Sequence, residues 1–192
     1  MKTPVATELA ALMRFEYFKA STERQNWHDA TFSWSLPFDM LLPDFASQVG
    51  VSFVSDRGFP CEWVYSSVFG RTTDRALIMS VDQQFRQKLA TIIVLLLRTT
   101  YDASKFDDDL VDVHRLDELH RGYLDFINFS VNSWIVARVD QLGEDPRKIA
   151  SMIHDAVDAA SAVSSARAVI DLTPDSFKPA RLMVVQPNDG GR

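Results

Sequence analysis

Apolar residues recur at three- and four-residue steps along much of this chain, and that spacing predicts helices. Thr3-Pro4 reads as an N-cap followed by proline at the first helical position. Leu9, Leu12, Phe15 and Phe18 continue the stripe, so a first helix is expected to about Glu23. From 26 to 79 the pattern changes to short β-prone runs, Thr31-Phe-Ser-Trp-Ser-Leu36, Val51-Ser-Phe-Val54, Trp63-Val-Tyr65 and Ala76-Leu-Ile-Met79. Pro37, Pro43, Gly50, Gly58, Pro60 and Gly70 separate them. This stretch is expected to be a small β-rich insert whose aromatic residues dock on the helices. Ser80 and Gln83 form a capping box opening a second helix to about Thr100. Its last part, Ile92 to Leu97, is apolar on every face, which predicts a central helix with Ile93 and Leu96 fully enclosed.

Asp107-Asp-Asp109 and Asp112 then place carboxylates at the start of a third helix, where they complement its macrodipole. Leu116, His120, Tyr123, Ile127, Val131 and Trp134 share one side of it. Gly143 is expected to end it, and Asp145-Pro146 to open a fourth helix carrying Ile149, Ile153, Ala156, Ala160, Val163 and Ile170. The alanines would let another helix approach closely, from this chain or from a second copy. A turn-rich connector and a short strand, Arg181-Leu-Met-Val-Val185, follow. The expected fold class is therefore α+β and α-dominated: a four-helix core with a small β-rich aromatic insert between helices one and two. One domain is expected over 1–192, with the insert at about 26–79, the helical core at about 80–171, and a strand and tail at 172–192.

Composition narrows the chemistry. With 192 residues and 46% hydrophobic content the chain can bury a substantial core. A net charge of −6 with scattered basic residues weighs against a nucleic-acid partner. The run Leu89 to Leu97, bounded by Lys88 and Arg98, is about half the ~20 residues a membrane span needs, so no membrane role is expected. Glu8 and Arg14 interrupt any apolar stretch of the kind that opens a secretion signal. Cys61 is the only cysteine, which excludes an intrachain disulfide and fits a reducing compartment; the expected location is cytoplasmic. There is no glycine-rich phosphate loop, and the four histidines are too spread for a closed zinc site, so no cofactor is expected.

Four groups of residues could carry function. Arg115-Leu-Asp-Glu-Leu-His120 resembles the Arg-x4-His signature of HEPN-type ribonucleases, over six residues only. The resemblance implies an acid/base role for His120 and a phosphate-stabilising role for Arg115, acting across a dimer in a helical bundle. Asp112, His114, Asp117, Glu118 and His120 contain carboxylate–histidine spacings suited to a metal, but only half of a two-helix site, since Ser151 stands three residues before His154. Cys61 beside Glu62 would need a histidine or a helix N-terminus to become a nucleophile, and a small buried thiol is the simpler expectation. Trp27, Trp34, Trp63 and Tyr65 could form a pocket or a partner face. Together these readings favour a non-catalytic interaction or assembly protein, a cytoplasmic or phage-type accessory subunit. It would bind itself as a homo-oligomer, or another protein, through Trp34, Trp63, Tyr65, Ala156 and Ala160. The alternative is a small helical-bundle enzyme, a HEPN-like ribonuclease using Arg115 and His120.

Overall fold

A parallel sheet buried between two helical layers carries the fold. The computed structural model describes residues 2–19, 35–98, 113–161, 167–172 and 183–185. Their order is α1 (Lys2–Met13), β1 (Glu16–Lys19), α2 (Ser35–Val49), β2 (Phe53–Asp56), α3 (Phe59–Val68), α4 (Arg75–Lys88) and β3 (Ile92–Leu97). Then come α5 (Val113–Phe129), β4 (Ser133–Arg138), α6 (Val139–Leu142), α7 (Pro146–Ser161), β5 (Arg167–Leu172) and β6 (Met183–Val185). The result is a helix-rich α+β protein.

Strands β3, β4 and β5 pair in parallel and β6 joins β5 antiparallel, in the order β3-β4-β5-β6. A second, two-stranded parallel sheet holds β1 and β2. Side chains alternate across the larger sheet as its pleat requires. Ile135 and Ala137 of β4 join Val5 and Leu9 of α1 and Ile149 and Ile153 of α7 in one core. Trp134 and Val136 face the opposite core, with Phe59 of α3, Ile78, Val81 and Phe85 of α4, and Phe126 of α5. Both faces of the sheet are thus covered by helices. That explains why β3 and β4 read as nearly continuous apolar runs.

The same fact overturns the four-helix core. Ile92 to Leu97 forms β3, because the helix before it stops at Lys88: Leu89 takes an extended conformation while its N–H still closes on the Phe85 carbonyl. Ile93 and Leu96 are half-buried there instead of enclosed in a helix. Val131 and Trp134 do not prolong the third helix; α5 ends at Phe129 and Trp134 belongs to β4. Ile170 belongs to β5. The β-rich insert is also corrected. Within it the described residues contain α2, α3, the start of α4 and only one strand, β2. Trp63 and Tyr65 lie on α3, and Ala76 to Met79 on α4, whose N-cap is Asp74, accepting from the Leu77 N–H at 3.0 Å. The first helix ends at Met13, after which Arg14 adopts a positive φ and the chain turns into β1. The strand expected near 181–185 is present as β6. Trp27, His28, Trp34, Asp107 to Asp109, Asp112 and Val163 lie outside the described residues.

Two local devices set the helical layers. Gly122 lies where α5 passes α3, since a Cβ there would come within 2.9 Å of Val64 Cγ1. Asp82 of α4, fully buried, accepts from Ser130 Oγ at 2.7 Å, the Val131 N–H at 2.6 Å and Asn132 Nδ2 at 2.7 Å. Arg167 of β5 donates from Nε to the Asn132 carbonyl at 3.1 Å and also reaches the Ile127 carbonyl. This network fixes the turn from α5 into β4.

Candidate functional site

A cavity of about 1550 Å³ opens between β2 and β3. Residues 51–58 form one wall and 90–98 the other, while α1, α3 and α5 contribute Val5, Cys61, His120 and Tyr123. Most of the surface is apolar, because both helical layers extend to it. A few polar groups converge at the Gly58 end.

The first is Asp39 of α2. It is 2% exposed, and its Oδ2 has no hydrogen-bond partner. Burial pushes its carboxyl up to about 7; the Phe59 N–H at the start of α3 opposes that rise, and the nearby Glu62 carboxylate adds to it. Gly58, the N-cap of α3, has no side chain to offer, so Asp39 reaches that helix end from another helix. Within α2, Pro43 lacks the N–H that the Asp39 carbonyl would accept in a regular helix. The second group is Cys61 with Tyr123. The Tyr123 hydroxyl donates to Cys61 Sγ at 3.2 Å, and burial raises its own pKa well above the ordinary phenol value, with Cys61 adding to the rise. Asp56 closes the same end, accepting from Thr3 Oγ1 at 2.6 Å and from the Tyr17 hydroxyl at 3.4 Å.

His120 also lines the cleft. Burial lowers its pKa, Lys2 lowers it further, and Asp117 and Asp140 act in the opposite sense. Arg115 points elsewhere: it donates to the Val68 carbonyl at 2.7 Å and stacks over Phe69 at the end of α3. Five helical positions separate the two residues, about 140° around the helix, so they do not meet at one point. Among the described residues no group of three or more His, Cys, Asp or Glu side chains is placed to hold a metal.

The residues expected to form a partner face are scattered. Trp63 is half-buried, packed on Phe126 and Phe129 with Arg75 4.8 Å over its ring. Tyr65 stacks on Phe69. Ala156 and Ala160 are buried in the core that α7 shares with α1, so the helix their small size admits is one of this chain's own. Trp34 lies outside the described residues. Among the described residues exposed large apolar side chains gather on α2, while Leu12, Leu124 and Phe129 are exposed elsewhere. Phe38, Leu41, Phe45 and Val49 are 41, 70, 60 and 57% exposed and follow one another at steps of three, four and four. That spacing puts them on one side of the helix. The stripe sat unread in the sequence because Pro37, Pro43 and Gly50 made the segment look irregular.

No family model, no curated protein and no solved structure matches this chain. No helix among the described residues is long and apolar enough to cross a membrane.

Proposed function

We propose that this chain is a non-catalytic interaction or assembly subunit that associates with a second copy of itself through the outer face of α2. The exposed stripe Phe38, Leu41, Phe45 and Val49 carries this reading. Large apolar side chains at 41–70% exposure, aligned along a helix, mark an interaction face more often than a solvated one. A helix stripe also pairs naturally with its own copy about a two-fold axis, each residue near the axis meeting its counterpart. Trp63 supports no rival face, since aromatic rings and Arg75 already cover it.

Leu41→Cys is expected to give a disulfide-linked dimer under mild oxidation, while the parent protein with Cys61 alone gives none. Absence of the cross-link at micromolar concentration would contradict the proposal.

The ribonuclease alternative requires Arg115 and His120 to act on one phosphate, and Arg115 is engaged by the Val68 carbonyl. Purified protein is expected to leave single-stranded RNA intact. His120→Ala should instead cost about 1–3 kcal/mol of stability through lost packing and partners. RNA cleavage lost in stable His120→Ala and Arg115→Ala proteins would reinstate the enzyme.

A further inference from the structure

Strands β2 and β3 belong to different sheets, yet they occupy the same layer. Val54 of β2 packs into the core that receives Ile92, Val94 and Leu96 of β3. Its neighbour Phe53 packs into the opposite core, with Ile93, Leu95 and Leu97. Two strands whose side chains alternate into the same two layers lie in one plane. Among the described residues no ladder joins them: there β2 pairs with β1, and β3 with β4. The cleft runs between the edges of β2 and β3 that no described residue pairs, lined by 51–58 and 90–98 and by no residue of β1.

Backbone N–H and C=O groups along an open strand edge require partners. Here two such edges face each other across a cavity of about 1550 Å³, larger than the ~300–1,000 Å³ typical of a small-molecule site. The occupant with donors and acceptors at the right spacing on both sides is an extended polypeptide. We propose that the cleft is a slot for one β-strand supplied by another protein, which would join β1-β2 and β3-β4-β5-β6 into a single sheet. The proposal rests on the interaction reading only in taking a protein as partner; it concerns a different surface from α2.

The slot specifies its occupant's chemistry. Helical layers cover both faces, so an inserted strand is buried on both sides and should be apolar at every position, as Trp134 to Ala137 of β4 are. Its length matches the six residues of β3. Arg98 and Glu144, paired at 2.7 Å, mark the limit beyond Leu97. At the Gly58 end Asp39 Oδ2 has no partner, so a polar group that can hydrogen-bond with it belongs next to the apolar run. Every strand among the described residues is already paired within its own sheet, so a second copy could donate one of these only by dismantling that sheet.

Amide hydrogen exchange by NMR on the full chain tests this without mutation. Alternate amides of Ile92 to Leu97 point away from β4, and these should exchange about 100-fold faster than their neighbours in the purified protein. The probe is a synthetic peptide, Val-Ile-Val-Leu-Val-Ile, with two lysines at each end for solubility. It should slow those amides at least about tenfold, and a version N-methylated at alternate residues should not. Slow exchange of all six amides in the purified chain would show the slot already filled and overturn the proposal. Fast amides that no peptide protects would overturn it too. Protection that persists in Leu41→Glu, Phe45→Glu protein would establish the slot independently of α2, so either reading can fail alone.

Discussion

Asp82→Ala is expected to destabilise the protein by about 4 kcal/mol, among the largest effects of any single substitution here. The carboxylate is fully buried and accepts from the Ser130 hydroxyl, the Val131 N–H and the Asn132 amide. Alanine would leave these donors without an acceptor, at roughly 1–3 kcal/mol for each buried group that water cannot reach. It would also remove the negative charge that favours the half-buried Arg167 guanidinium. Asp82→Asn keeps the shape but presents an N–H₂ to groups that are themselves donors, so about half the loss is expected. Chemical denaturation of both variants measures this. An alanine variant within 1 kcal/mol of the parent, on the order of a surface substitution, would mean that the turn from α5 to β4 is held by packing alone.

The second large effect is a pH dependence set by Asp39. Its carboxyl titrates near 7 in the folded chain and in the ordinary carboxylate range when unfolded. Between those values the native state holds a proton that the unfolded state has released, so stability falls as pH rises from about 4 to about 7. The full shift corresponds to roughly 4 kcal/mol, at about 1.4 kcal/mol per unit. His120, whose pKa burial lowers, works in the opposite direction: it favours unfolding once pH drops below about 6.5. Asp39→Asn should therefore abolish the decline at neutral pH and make the variant more stable than the parent at pH 8, an upper value of about 4 kcal/mol. Parallel denaturation curves for the two proteins at pH 5 and pH 8 would instead show that Asp39 stays ionised throughout.

What the sequence made legible was mostly capping chemistry. Asp145-Pro146 does open a helix, with Asp145 Oδ1 accepting from the Arg147 N–H at 3.0 Å, whereas Gly143, expected to end the third helix, instead caps the short α6 in the left-handed region. Thr3-Pro4 marks the beginning of α1 to within two residues. Two buried strands were read as helix for one shared reason: Ile92 to Leu97 and Trp134 to Ala137 are covered on both faces, so they lack the alternation that would separate a strand from a buried helix. Strand β5 does alternate, with Ala168, Ile170 and Leu172 buried and Asp171 exposed. The polar stretch Ser130-Val-Asn-Ser133 was the available signal that a helix stops there; Ser130, Val131 and Asn132 turn out to be the partners of Asp82.

The site was less legible still. Cys61, Tyr123 and His120 come together only because α3 and α5 cross at Gly122. Asp39 joins them from α2, where nothing in Phe38-Asp39-Met40 distinguishes a buried carboxyl from a solvated one. The α2 stripe could have been found from its three- and four-residue steps, had Pro43 not argued against a helix through it.

Association through α2 is tested most directly by the mass of the protein in solution. Static light scattering at micromolar concentration should give twice the 21.7 kDa chain mass for the parent and the single-chain mass for Leu41→Glu, Phe45→Glu, with circular dichroism unchanged. A parent protein that scatters as a monomer, or a double variant that remains a dimer, would contradict it.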